Sequence, residues 1–171
     1  MNLPEEYKAL VVTLSDRAYR GEYEDLSGPR VKVRLAEFFS SGGWKCKISL
    51  TLIPDDSLIL HKLLKGAGDD FNVIITTGGT GLGPRDITVE TVKPLLIKEI
   101  PGIMEFIRIR YGTENPDALL SRGVAGIIGK SVIYTLPGSV KAVDEYMDEI
   151  LKTLKHTIYM QYGIDTHSKN Q

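Results

Sequence analysis

Cysteine is nearly absent from this chain, and the single one, Cys46, lies between Trp44 and Ile48 in a strand-like run. An internal disulfide and a multi-cysteine metal cage are thereby excluded, and the residue reads as a small strand side chain. Histidine is scarce too. His61, His156 and His167 are far apart and form no group at metal spacing, which argues against zinc. Neither sign of charge dominates: 21 Lys and Arg stand against 22 Asp and Glu, a net of −1. Bulk electrostatics therefore give no sign of a nucleic-acid partner, and a phosphate ligand would have to be met locally. No apolar run approaches the ~20 residues that span a bilayer, and the charged N-terminal stretch lacks the apolar core of a signal peptide. The expectation is a cytoplasmic protein with no membrane partner. A chain of 171 residues fits one compact domain, with its core over residues 7–162 and a loose tail at 165–171.

Glycine, by contrast, is concentrated in one place. The run Val73-Ile74-Ile75-Thr76-Thr77 reads as a parallel strand buried on both faces, and glycines follow at 78, 79, 81 and 83 before Pro84-Arg85-Asp86-Ile87-Thr88. Glycines there permit positive φ and leave no Cβ between backbone and ligand, so several N–H groups can converge on phosphate oxygens. Arg85 could add a forked cation. The common nucleotide motifs fail, however. Gly79-Thr80-Gly81 would need glycine at 84, which is Pro84, to make a dinucleotide fingerprint. A P-loop ending in Gly129-Lys130-Ser131 would need glycine at 124, which is Val124, so that tripeptide reads as a tight turn between strands.

Strand-like runs alternate with helical spacing along the chain, which predicts an α/β three-layer sandwich: a mostly parallel central sheet, helices on both faces and a short antiparallel hairpin. Strands are expected at Ala9–Leu14, Trp44–Ile53 and Phe71–Thr76, the last of them central. A hairpin is expected at Val124–Ile128 and Val132–Leu136. Pro29 suits the first turn of a helix to about Ser40, ended by Gly42-Gly43. Asp55 or Asp56 can cap a helix through Leu64, helical spacing returns at Val89–Ile97 and Met104–Tyr111, and Ser139 caps a last helix that Gly163 ends. Ligands in such sheets bind beyond the strands' carboxyl ends, where the loops 15–28, 53–56 and 77–86 would converge. Asp55 and Asp86 would then reach one pocket from different loops and suit a hydrated Mg²⁺ shared with substrate phosphates. Each aspartate also has a plainer reading as a helix cap.

Three segments resemble a known family, the molybdopterin adenylyltransferases of molybdenum cofactor biosynthesis and the related gephyrin-type domains. Leu14-Ser15-Asp16-Arg17-Ala18, with Ser27-Gly28-Pro29 downstream, resembles the family's opening loop. The Thr76-Thr77-Gly78-Gly79-Thr80-Gly81 run reaching Arg85-Asp86 is similar to its second motif, and Leu136-Pro137-Gly138-Ser139 to its turn before the last helix. Pro54-Asp55 and Ser121-Arg122 resemble two shorter elements. The chain departs from the family in having Val89 and Val140 where many members have proline, which touches backbone stiffness rather than chemistry.

The resemblance implies an enzyme that transfers AMP from MgATP to the terminal phosphate of molybdopterin, releasing pyrophosphate. It implies that Asp55 and Asp86 serve catalysis and magnesium. Ser15, Asp16, Arg17, Ser27, Thr77, Gly78, Gly79, Thr80, Gly81, Arg85, Ser121, Arg122, Pro137, Gly138 and Ser139 would line the nucleotide and pterin subsites, with their division between the two left open. It further implies a homotrimer and hand-over of product to a metal-insertion enzyme. The alternative is a non-catalytic molybdopterin carrier with the same pocket.

Overall fold

The computed structural model describes residues 3–164 of the chain, so the expected loose tail and His167 lie outside the described residues. Three strands are buried almost throughout: Glu6–Leu14 (β1), Val73–Thr77 (β3) and Ser131–Leu136 (β6). Runs of this kind stay extended where helices cover both faces, because every side chain then finds apolar neighbours. With Lys45–Ile53 (β2) they form a parallel array in the order β2-β1-β3-β6. Ala125–Ile128 (β5) and the two-residue strand Lys98–Glu99 (β4) continue the sheet antiparallel beyond β6.

Alternate residues of the central strands feed two cores. Tyr7, Ala9, Val11, Val73, Ile75 and Tyr134 meet the helices Ser27–Ser41 (α2), Pro101–Gly112 (α5) and Val140–Gln161 (α6) on one face. Leu10, Val12, Leu14, Ile74 and Ile133 meet Ser57–Asp70 (α3) and Thr88–Val92 (α4) on the other. The three layers expected from the sequence are present. In α6 the stripe Val143, Met147, Ile150, Leu154 and Ile158 is wholly buried, and Ser139 caps the helix by accepting from the Ala142 amide at 3.2 Å. Among the described residues no helix is long and apolar enough to cross a membrane. Cys46 is half-buried in β2, and burial pushes its thiol up to about 12, so it stays protonated at neutral pH.

Several elements differ from the sequence reading. The helix expected over Val89–Ile97 stops at Val92 and tightens into a 3-10 turn, Lys93–Leu95, because Pro94 has no N–H for an α-helical bond. The chain then contributes β4, whose two exposed residues carry no apolar signal. Helix α5 begins at Pro101 rather than Met104, with proline in its first turn. A four-residue helix, Asp16–Tyr19 (α1), and a 3-10 stretch, Pro116–Leu120, were not expected. The hairpin turn is as read: Gly129 takes φ of 53°. Ser131 is occupied in donating to the carbonyl oxygens of Gly68 and Phe71, at 3.0 and 2.6 Å, at the sheet edge away from the strand carboxyl ends.

The buried stripe of α6 generates a contrast that urea unfolding will read. Ile150→Ala, at a fully buried position, should cost about 2–5 kcal/mol. Leu58→Ala, at a position 79% exposed on α3, should stay within about 0.5 kcal/mol of the parent.

Candidate active site at the carboxyl edge of the sheet

The chain moves from β1 outward to β2 and then returns to the other side of β1 as β3, so the strand order reverses between β1 and β3. Helices on opposite faces leave a crevice at such a reversal. Four loops leave parallel strands at that edge: 15–26 after β1, 54–56 after β2, 78–87 after β3 and 137–139 after β6. Strand β5 is antiparallel to β6, so Ser121-Arg122, just before β5, returns to the same edge. All the segments expected to contribute to a site are thus brought together.

The glycine loop is fixed by close backbone approach. Gly78 has φ of 100°, and a Cβ there would lie 2.3 Å from the Leu14 carbonyl oxygen. Gly79 has φ of 66°, and its Cβ would lie 2.4 Å from Thr88 Oγ1. The loop's carbonyl groups are taken by the protein. Thr88 Oγ1 donates to Gly78 O at 2.8 Å and Thr88 N to Gly79 O at 3.0 Å, while Arg122 N donates to Thr80 O at 3.0 Å and Arg122 Nε to Gly81 O at 2.8 Å. The amides of residues 79–82, among the described residues, donate to no protein acceptor. A loop with its carbonyls satisfied and consecutive amides open is an anion-binding nest.

Asp86 closes this loop rather than capping a helix. Its Oδ2 accepts from Gly83 N at 2.7 Å, its own amide donates to Gly83 O at 3.0 Å, and Ile87 takes the cap position of α4 with no side-chain bond. The plainer reading of Asp55 also fails, because Asp56 is the cap of α3, accepting from Leu58 N and Ile59 N at 2.8 and 3.0 Å. Asp55 instead exchanges bonds with Asp16: Asp16 N donates to Asp55 Oδ2 at 2.9 Å and Asp55 N to Asp16 Oδ1 at 3.0 Å. Arg85 grips Asp16 with Nε and Nη2, both at 2.9 Å, so in this state its fork faces a carboxylate. That hydrogen-bonded guanidinium holds the Asp16 carboxyl below its ordinary value. Burial raises Asp55, and the charges of Asp16 and Asp86 add to the rise.

These carboxylates fit magnesium in one respect. Asp55 carries the repulsion of two neighbouring acids, which a cation would relieve, and hard oxygen donors of this kind are what magnesium takes. Among the described residues no group of three or more acidic, histidine or cysteine side chains could hold a metal alone, so substrate phosphates would have to complete the shell.

The loop after β1 forms one wall. Ser15 caps α1 and shares a 2.7 Å hydrogen bond with the Tyr23 hydroxyl, and Arg17 lies over the Tyr23 ring at 5.1 Å. Asp25, which sequence reasoning missed, accepts four bonds: from Thr13 Oγ1, Ser27 N, Ser27 Oγ and Gly28 N, between 2.6 and 3.1 Å. Its signal was visible as a carboxylate two residues ahead of Ser27-Gly28-Pro29. This wall bounds a cleft of about 200 Å³ reaching Ser27, Gly138 and Val140. A second cleft, about 330 Å³, runs from Gly79–Gly81 and Asp86 to Ser121, Pro137–Ser139 and Tyr146. Thr77 donates to Pro137 O at 2.8 Å and Tyr146 to Ser121 Oγ at 2.9 Å, fixing two of its sides. Gly138 lines both clefts. Asn115, Asp117, Lys141 and Glu145 also line the second cleft, and nothing in their local sequence marked them. Arg122 is absent from its lining and faces the back of the glycine loop.

Fold and site together define a doubly wound α/β domain with an amide nest and paired carboxylates at its switch point. Residues 10–156 match the family described as a probable molybdopterin binding domain, and the chain belongs to that family. The molybdopterin adenylyltransferase of Pyrococcus furiosus is 36% identical over 162 residues, covering 90% of this chain and 92% of its own. The molybdenum cofactor synthesis protein cinnamon of Drosophila melanogaster is 36% identical over 152 residues, 88% of this chain, and the match spans only 25% of that longer relative. The crystal structure of the tungsten cofactor synthesizing protein MoaB from Pyrococcus furiosus has the same fold, with a TM-score of 0.79 at 33% identity over 93% of this chain and 99% of that one.

The raised pKa of Asp55 sets the sign of a stability effect. The folded protein keeps the Asp55 proton at pH values where the unfolded chain has lost it, so this group's contribution is full below the unfolded value and is lost as pH rises through the folded one. Asp16 acts in the opposite sense, stabilising above its unfolded value and losing that as pH falls through its lowered folded value. Asp55→Asn keeps an acceptor for the Asp16 amide and removes the charge. Metal-free Asp55→Asn should therefore melt at or above the parent Tm at pH 8, with the advantage shrinking towards pH 4. A lower Tm at pH 8 would contradict the repulsion.

Proposed function

We propose that this chain is a molybdopterin adenylyltransferase, which transfers AMP from MgATP to the terminal phosphate of molybdopterin and releases pyrophosphate, on the way to a molybdenum or tungsten cofactor. The observation that carries this reading is the run of open amides at residues 79–82 in the loop that Asp86 closes, with Asp55, from the loop after a separate strand, within electrostatic reach of Asp86. The name borne by the Pyrococcus furiosus relative supports it.

The chemistry needs positioning rather than a protein nucleophile. The nest amides hold non-bridging phosphate oxygens, and Arg85 exchanges Asp16 for phosphate. A terminal phosphate oxygen of molybdopterin attacks the α-phosphorus, the bond to the β-phosphate oxygen breaks, and pyrophosphate leaves with the electron pair. Magnesium held by Asp55, Asp86 and phosphate oxygens would supply charge neutralisation during that transfer. The two clefts take one reactant each, with Ser15 and Ser27 on one side, Ser121 and Ser139 on the other, and the phosphates meeting near Gly138. The same reading makes the chain a single molybdopterin-binding domain acting in the cytoplasm as a homotrimer that hands its product to a metal-insertion enzyme. The exposed Phe106 and Ile109 on α5 support an oligomer.

The test is mass detection of adenylyl-molybdopterin and pyrophosphate from purified protein, ATP, Mg²⁺ and fresh molybdopterin. Product should require both substrates. Asp86→Asn should lower kcat by on the order of a hundredfold or more while the molybdopterin dissociation constant moves only a few-fold. Tight pterin binding without product would return the carrier reading instead.

A further inference from the structure

Arg122 would ordinarily be read as a phosphate ligand, since it is an arginine next to a glycine loop. Its bonds run the other way. Its amide donates to Thr80 O at 3.0 Å, Nε to Gly81 O at 2.8 Å and Nη2 to Asp86 O at 3.3 Å. Glu90 takes two more of its N–H groups, with Nη1 on Oε1 and Nη2 on Oε2. Every peptide bond described is trans, so the C=O of one residue and the N–H of the next point in opposite directions. Holding Thr80 O and Gly81 O backward therefore turns the amides of Gly81 and Leu82 forward. Thr88 does the same for Gly79 and Thr80 by taking the carbonyls of Gly78 and Gly79.

We propose that Arg122 is a positioning residue that sets the polarity of the glycine loop, that Glu90 holds its guanidinium in place, and that Arg122 makes no contact with substrate. The inference deepens the adenylyl-transfer reading in naming what aims the phosphate nest, and rests on that reading only for the reaction. Glu90 sits in the first turn of α4, the helix that also carries Thr88, so the whole back of the nest is fastened to one short element. The Glu90 side chain is 58% exposed, which makes its replacement mild for folding.

The two roles for Arg122 predict opposite signs for one substitution. Inorganic tripolyphosphate with Mg²⁺ is the probe, titrated calorimetrically into the full chain, with Tm recorded for each protein. If Arg122 is a brace, Glu90→Gln loosens it and weakens tripolyphosphate binding several-fold, with a matching rise in KM for ATP and an unchanged Tm. If Arg122 itself binds phosphate, Glu90→Gln frees the guanidinium, removes a repelling charge and tightens binding. Tightened or unchanged affinity overturns the inference, as does a parent protein with no tripolyphosphate affinity. Arg122→Lys, which keeps charge but loses the fork, should weaken binding at least as much as Glu90→Gln; near-parent affinity would overturn the brace. Anion binding is read without turnover, so a parent that binds tripolyphosphate yet yields no adenylylated product counts against the enzyme reading alone.

Discussion

The carboxyl edge of the sheet depends on how closely backbone passes backbone at Gly78. The Leu14 carbonyl comes from β1 on one side and Gly138 from the turn after β6 on the other, where even a Cβ built on Gly138 would lie 3.3 Å from the Gly78 Cα. No side chain fits between these stretches, so the loops of three parallel strands share one crevice. The positive φ at Gly78 and Gly79 starts the loop turning back on itself, and its carbonyls then find Thr88 and Arg122 behind it. A front of open amides follows from that geometry.

The acidic side of the site is organised by reciprocity. Asp16 and Asp55 each offer an amide to the other's carboxylate, which ties the β1 loop to the β2 loop, and Arg85 brings the β3 loop to the same point. The two carboxyls are driven apart: Asp16 is lowered by the guanidinium that grips it, while Asp55 is raised by burial and by its acidic neighbours. One serves as a settled counter-ion. The other carries the repulsion of its acidic neighbours, which a proton or a bound metal cation would relieve, a conflict of the kind found at functional sites.

Much of this was legible in the chain, because the signals were backbone signals. The apolar run at Val73–Ile75 announced a buried parallel strand, Gly129-Lys130 between two strand-like runs announced the hairpin, and glycines at 78 and 79 announced positive φ. Asp56 and Ser139 behaved as caps because their neighbours began amphipathic helices. What was hidden depended on partners distant in sequence. Arg122 looked like a ligand until Gly81 and Glu90, 41 and 32 residues away, were seen to hold it. Strand β4 was invisible because two exposed residues paired with β5 leave no periodic trace, and Pro94 cut a helix that apolar spacing alone would have continued.

Gly138 belongs to both clefts, so the wall between them is one residue thick. Under the proposed reaction each substrate is gripped on one side only and can leave by its own opening. The product joins both halves covalently and is gripped twice, so one end released is drawn back by the high local concentration that the other end imposes. Such a protein would be a poor dispenser into bulk water. A receiving protein that captures the first end to lift would halve the grip and draw the molecule out, so under that reaction the thin wall would favour delivery by contact over delivery by diffusion.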